Sequence, residues 1–170
     1  MLLDILVYPD PRLKTVCEPI KEVTPELRQL VKDMFETMYD ASGVGLAAPQ
    51  IGQFIRMLVM DPQSNKEVKA PRVLINPELE LYGEDIKSKA EGCLSVPLQY
   101  RADVIRKNHV HLKARDLDWN MIEEDLEGYP AIIVQHEFDH LNGILFIDHI
   151  MSVKRALFDG KVRRWQKRHQ

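Results

Sequence analysis

The segment His136-Glu137-Phe138-Asp139-His140 constrains this chain more than any other feature. Apolar residues at helical spacing surround it, and they predict a helix that begins at Pro130 and is capped by Gly143. On a helix, residues four apart lie about 40° apart around the axis and about 6 Å along it, so both imidazoles project from one face. Two such imidazoles can chelate a divalent ion, with Glu137 as general base beside a bound water. The apolar surroundings disfavour the alternative, a polar helix face that contains the pattern by chance.

Two histidines leave a metal site incomplete, so a third protein ligand is expected elsewhere in the chain. The metzincin pattern is excluded because its third histidine would fall on Phe146, and the thermolysin-like pattern is excluded because no glutamate follows residue 140. Cys93 is the best candidate, since it lies in a tight run of small residues and its thiolate would complete a Cys-His-His site with an open fourth position. The other acidic or imidazole candidates downstream are Asp148, His149 and Asp159.

Length and composition predict a single domain over residues 1–170, because 45% hydrophobic residues suffice for one packed core. The two cysteines, Cys17 and Cys93, do not form a disulfide framework of the secreted kind, which favours a reducing, cytoplasmic location. No apolar run approaches the roughly 18–20 residues of a membrane span. The net charge of −3 is mild, and we expect neither a membrane nor a DNA partner.

Two further helices are predicted near the ends of the chain. Thr24 is suited to cap a helix whose first residue is Pro25, and apolar residues recur at helical spacing over residues 25–40. A second helix is expected over about residues 152–169, with Ser152 as its cap. It is strongly basic, with a single acid, Asp159, against Lys154, Arg155, Lys161, Arg163, Arg164, Lys167 and Arg168. Such a helix is either a solvated face or a docking surface for an anionic partner.

Short β-rich runs separate these helices at Met57–Asp61, Val73–Asn76 and Val104–Arg115, and residues 43–50 are predicted to form a loop. Strands without regular helical crossovers favour an α+β fold. We therefore expect small antiparallel sheets around a central helix that carries the two histidines, with an N-terminal and a C-terminal helix beside them.

Three segments taken together resemble peptide deformylases. They read GVGLAAPQ at 43–50, EGCLS at 91–95 and QHEFDHLNG at 135–143. All three occur in the order found in that family, and the two terminal helices also fall where the family has them. The resemblance implies a hydrolase that removes the formyl group from the N-terminal formyl-methionine of newly synthesised polypeptides and releases formate.

The resemblance also implies site residues. The implied metal ligands are Cys93, His136 and His140, and the implied catalytic groups are Glu137 as general acid and base, with the Gln50 amide and the Leu94 backbone N–H stabilising the oxyanion. The implied substrate-binding residues are Val44, Gly45, Arg101 and Ile133. The metal expected is Fe(II), with zinc, nickel or cobalt as alternatives in a purified sample. A glutamate or aspartate next to a ligand, Glu91 or Asp139, is expected to orient the imidazoles.

Two other functions use the same helix motif. A general metallopeptidase would cleave internal peptide bonds and release peptides instead of formate. A non-enzymatic structural zinc module would close the site with a fourth protein ligand such as Cys17. The basic C-terminal helix adds an expected partner, the ribosome, through contact with its RNA.

Overall fold

The computed structural model describes residues 1–169, and Gln170 lies outside the described residues. Within them there are three α-helices: α1 Pro25–Asp40, α2 Tyr129–Leu141 and α3 Ser152–Arg168. There are five β-strands: β1 Gly45–Ala47, β2 Met57–Met60, β3 Arg72–Glu91, β4 Ala102–Arg115 and β5 Met121–Glu127. All neighbouring strands are antiparallel, in the spatial order β1-β2-β3-β4-β5. The α+β class is confirmed, although one continuous sheet replaces the several small sheets expected.

Helix α1 begins and ends as the sequence predicts. The Thr24 hydroxyl accepts a hydrogen bond from the Leu27 N–H at 3.1 Å, and Pro25 is the first helical residue, where its missing N–H costs nothing. The buried face of the helix, which includes Met34 and Met38, packs against apolar side chains of β1 and β2. This layer supports the segment that enters the functional site.

Helix α2 is the central helix of the fold. Its residues Ala131, Val134 and Leu141 are fully buried against the sheet, where they meet Leu58 of β2 and Leu112 of β4. The helix begins at Tyr129, one residue before the predicted start, and Gly143 adopts a left-handed φ of 75° just past its end, as a helix-ending glycine does. Burial on this face leaves another face of α2 free to carry polar chemistry.

Strands β3 and β4 form a long two-stranded ribbon that the sequence predicts only in part. The run Val73–Asn76 is the start of a 20-residue strand, and three register shifts interrupt its pairing with β4. Strand β5 was not predicted. The predicted loop over residues 43–50 is wrong in part, because it contains β1 and most of a 3-10 helix, Ala48–Ile51.

Helix α3 contributes two buried residues, Phe158 and Val162, to a third apolar cluster with Phe146. Ser152 is its first residue and Met151 occupies the cap position, so the predicted Ser152 cap is displaced by one residue. Six of its seven basic side chains are exposed, and Arg155 is half-buried. No helix within residues 1–169 is both long and apolar enough to cross a membrane.

Candidate metal centre

Cys93, His136 and His140 come together in the structure, although Cys93 is 43 residues before His136 in the sequence. One potential ligand atom from each lies within 4.8 Å of the others, and no other such group is found among residues 1–169. The Cys93 Sγ is 3.3 Å from the His140 Nε2. The two histidines project from α2, and the cysteine lies in the connection that follows β3.

The competing ligand candidates are engaged elsewhere. Asp148 and Asp159 both bond to Arg155, and His149 bonds to Asp139. Cys17 is buried in the apolar core, and burial raises the pKa of its thiol to about 11. A neutral thiol in an apolar cluster is a packing residue, as expected of a cysteine with no polar context.

The three donors fit a divalent metal ion. The His136 Nδ1 lies 2.8 Å from Glu91 Oε1, which leaves its other ring nitrogen for the site. Burial lowers the pKa of His140 well below its ordinary value, so this imidazole is held in the neutral form that binds metals. A thiolate with two imidazoles suits zinc or iron, and three protein ligands leave one coordination position open.

Glu137 lies beside these donors and is almost wholly buried. Its Oε1 is 3.8 Å from the His140 Nε2 and makes no hydrogen bond within residues 1–169. Burial raises the pKa of Glu137 to about 7. A carboxyl group with such a pKa is suited both to accept and to release a proton near neutral pH.

Gly45 in β1 faces this carboxylate at very close range. A Cβ atom at position 45 would lie 2.5 Å from Glu137 Oε2 and 2.7 Å from its Cγ. Only a residue without a side chain therefore allows the strand and the carboxylate to approach so closely.

The amide of Gln50 is held in one orientation. Its Oε1 accepts a hydrogen bond from the Ala47 N–H at 2.9 Å, while its Nε2 donates to the Ser95 Oγ at 3.0 Å. The same Nε2 is 3.5 Å from the Cys93 Sγ. The backbone N–H of Leu94, next to that cysteine, donates no hydrogen bond to another described residue. Two N–H donors are thus placed beside the candidate metal ligands.

A cavity of about 990 Å³ opens over this centre. Its lining includes Val44, Gly45, Arg101 and Ile133, so all four predicted substrate-binding residues are brought together. Gln50, Cys93, Leu94, His136 and Glu137 also line it, whereas His140 lies deeper and is 1% exposed. Leu98, Tyr129 and Ile132 also line the cavity.

Arg106 is a further residue that sequence reasoning missed. Its guanidinium donates two hydrogen bonds to Glu91, at 3.1 and 2.7 Å, and one to Asp139 at 2.8 Å. Although burial by itself raises the pKa of Glu91, hydrogen bonds from His136 and Arg106 outweigh it and lower the value to about 2. Of the two carboxylates expected beside the ligands, Glu91 contacts an imidazole ligand and Asp139 bonds to Arg106 and His149 instead.

A signal for Arg106 was present in the sequence. It occupies an even-numbered position of β4, like Val104 and Val110, and these positions face the core. An arginine on the apolar face of a strand must find buried acceptors.

A family model described as polypeptide deformylase matches residues 2–156. The chain belongs to the polypeptide deformylase family. The chain is 48% identical over 163 residues to the peptide deformylase of Psychrobacter cryohalolentis, in an alignment that covers 96% of this chain and 87% of the relative. It is 50% identical over 154 residues to the enzyme of Pseudomonas aeruginosa, covering 91% of this chain and 90% of that one.

The chain also resembles solved structures over nearly its whole length. The crystal structure of a peptide deformylase from Legionella pneumophila matches with a TM-score of 0.89 at 38% identity, and it covers 99% of this chain and 98% of that chain. Family membership makes the chain a hydrolase that removes formyl groups, and it disfavours both the general metallopeptidase and the structural zinc module.

Proposed function

We propose that the chain binds one divalent metal ion through Cys93, His136 and His140 and removes the formyl group from N-formylmethionyl nascent peptides. The observation that carries this proposal is the position of Glu137, a buried carboxylate with a free oxygen beside three converging metal-binding side chains. We further propose that residues 1–170 form one catalytic domain and that it works in the cytoplasm.

The proposed ion is Fe(II), with zinc, nickel or cobalt as substitutes in a purified sample. A thiolate and two imidazoles are compatible with each of these ions. When bound, the ion supplies Lewis acidity and makes a water molecule available as a nucleophile near neutral pH.

Glu137 is proposed to move the proton in both halves of the reaction. It accepts a proton from the attacking water while the water oxygen bonds to the formyl carbon. It then delivers this proton to the departing nitrogen as the carbon–nitrogen bond breaks, which gives formate and a free N-terminal methionine. A pKa of about 7 serves both steps, because the group must be a base first and an acid afterwards.

The N–H groups of Gln50 and Leu94 are proposed to stabilise the negative oxygen that forms on the formyl group. Both are fixed before substrate arrives, Gln50 by its contacts with Ala47 and Ser95 and Leu94 by the backbone next to Cys93. A preorganised donor of this kind contributes about 3–4 kcal/mol to the lowering of the activation barrier.

The substrate chain is proposed to lie along β1. Among residues 1–169 this strand pairs with β2 alone, and Val44 and Gly45 line the cavity along its other edge, where the Ala47 N–H already bonds to Gln50. An extended peptide can pair with such an edge through its backbone. Ile133 and Val44 offer apolar surface for the methionine side chain, and Arg101 lies exposed at the rim. The formyl carbon carries only hydrogen, so a narrow site admits it and excludes larger acyl groups.

The exposed basic side chains of α3 are proposed to dock on the ribosome. Charge reversal tests this proposal without removing the buried residues of the helix: Lys161, Arg164 and Lys167 are replaced by glutamate. Contacts with RNA phosphates weaken with such changes and with salt. Ribosome binding that is unchanged in this variant would refute the proposal that these side chains dock on the ribosome.

The reaction itself is tested by formate release. The protein is purified anaerobically with Fe(II) and given a formyl-Met-Ala-Ser peptide, with Glu137→Ala matched for metal content and exposed Glu127→Ala as control. We expect fast release by the parent and by the control, and a rate 10²- to 10⁴-fold lower for Glu137→Ala, roughly the contribution of a general acid and base. No formate from a fully metallated parent would refute the proposal.

A further inference from the structure

Both the oxygen and the nitrogen of the Gln50 side-chain amide have hydrogen-bond partners before any substrate is present. Its oxygen accepts from the Ala47 N–H at 2.9 Å, which fixes the orientation of the amide plane. Its nitrogen carries two hydrogens and has two neighbours, the Ser95 Oγ at 3.0 Å and the Cys93 Sγ at 3.5 Å. Gln50 is 1% exposed, so bulk water does not compete for either hydrogen.

Ser95, two residues after Cys93, accepts the hydrogen bond that fixes the Gln50 amide nitrogen. It is fully buried, and its carbonyl accepts a hydrogen bond from the Tyr8 N–H at 2.7 Å. A second bond, from the Val96 N–H to the Cys93 carbonyl at 3.0 Å, closes the turn between them. The hydroxyl of Ser95 and the sulfur of Cys93 are therefore presented to one amide nitrogen by one rigid turn.

We infer that Gln50 donates an N–H···S hydrogen bond to the Cys93 thiolate, and that Ser95 is the positioning residue that keeps the amide in place. A hydrogen bond to an ionised acceptor is stronger than one between neutral groups, and this one lies in a buried site. The bond stabilises the negative charge on sulfur and moderates the electron donation of sulfur to the ion. This inference rests on the proposed metal site. Since Ser95 takes the other hydrogen of the amide, the hydrogen directed at sulfur is the one that Gln50 would share with the oxyanion when substrate binds.

The test uses the whole chain loaded with Co(II), whose thiolate-to-metal charge-transfer band in the near ultraviolet reports the electronic state of the sulfur. A hydrogen bond lowers the energy of the sulfur lone pairs, so its loss should move the band to longer wavelength. Gln50→Met removes the donor and keeps the chain length. Ser95→Ala keeps the donor and removes its anchor. Ser88→Ala is the matched control, a buried cavity serine whose hydroxyl bonds to neither Gln50 nor Cys93 within residues 1–169.

We expect a shift to longer wavelength in Gln50→Met, a smaller shift in the same direction in Ser95→Ala, and none in Ser88→Ala. These readouts need no substrate, and Ser95→Ala carries the test alone if Gln50→Met does not fold.

Three results would overturn the inference, and they can be told apart. If the parent shows the thiolate band and both variants show it at the same wavelength, the N–H···S bond is refuted. The proposed function is then unaffected. If the parent binds Co(II) but shows no thiolate band, Cys93 is not a metal ligand. The inference is then refuted together with that part of the proposed site. An equal shift in Ser88→Ala also counts against it, because the effect would then be a general response of the cavity.

Discussion

Replacing Gly45 by alanine should disable Glu137 without disturbing the fold. Gly45 is not among the glycines with positive φ, so the backbone accepts alanine, and the three atoms nearest to the new methyl group all belong to the Glu137 side chain. Its distance from Glu137 Oε2 would be 2.5 Å, whereas ordinary contacts begin at 3.4 Å. The carboxylate must therefore retreat by about 0.9 Å, since β1 is held by its pairing with β2.

A displacement of about 1 Å in a catalytic group can lower the rate about 100-fold, or close to 2.7 kcal/mol in activation free energy. We expect Gly45→Ala to lose this factor in kcat for formate release, with a smaller change in KM and unchanged metal content. Gly160→Ala is the control. Its added Cβ meets nothing closer than 3.6 Å, and in a helix it should raise stability by roughly 1 kcal/mol while kcat stays the same.

A double-mutant cycle separates the proposed cause from others. If Gly45→Ala acts by moving Glu137, the same substitution should have almost no effect in a Glu137→Ala background, because the group it displaces is gone. A further 100-fold loss in that background would refute the reasoning. It would mean that Gly45 acts through another partner, such as the backbone of the substrate.

Three other perturbations follow from the buried polar groups. Arg106→Met leaves Glu91 and Asp139 without their cation, so the free energy of unfolding measured in urea should fall by about 3–5 kcal/mol, and a loss below about 1 kcal/mol would contradict the network. Cys17→Ser places a hydroxyl in an apolar cluster and should cost about 1–3 kcal/mol in stability with one metal per chain retained; metal loss on this change would instead support a structural zinc site. The pKa of Glu91 is about 2 in the folded chain and near 4.5 when unfolded, so its contribution is present above pH 4.5 and is lost as pH falls towards 2. Glu91→Gln should flatten the stability profile in that window, and a profile parallel to that of the parent would be inconsistent with the low pKa.

The helices were predictable because their signals are local. Thr24 and Pro25 set the start of α1 within one turn of chain, and the apolar spacing that follows determines its buried face. The two histidines share a helix, so their convergence also follows from short-range geometry. Cys93 could be inferred mainly by eliminating other ligands, because no local pattern ties it to His136, 43 residues further along the chain.

The sheet was harder to predict because its pairing is non-local. The outer half of β3 is largely exposed and rich in charged residues, so the apolar alternation that marks a half-buried strand is lost there. Strand β5 is an edge strand that carries four acidic residues, and acidic residues are depleted in strands. Gln50 and Ser95 illustrate the same limit in the site, since their contact joins the 3-10 helix Ala48–Ile51 to the connection between β3 and β4, and nothing in the sequence links the two.

The pairing of β3 with β4 limits how the chain can tolerate insertions and deletions. Glu91 is the last residue of β3 and Arg106 lies on β4, and the ten-residue connection between the strands, 92–101, contains Cys93. A one-residue slip of β4 would turn Arg106 towards solvent, because side chains alternate between the two faces of a strand. Length changes that shift this register therefore separate Glu91 from its cation, even when every residue named in the site is retained. Loop grafts between relatives that change the length of the segment between residues 92 and 101 should therefore fail.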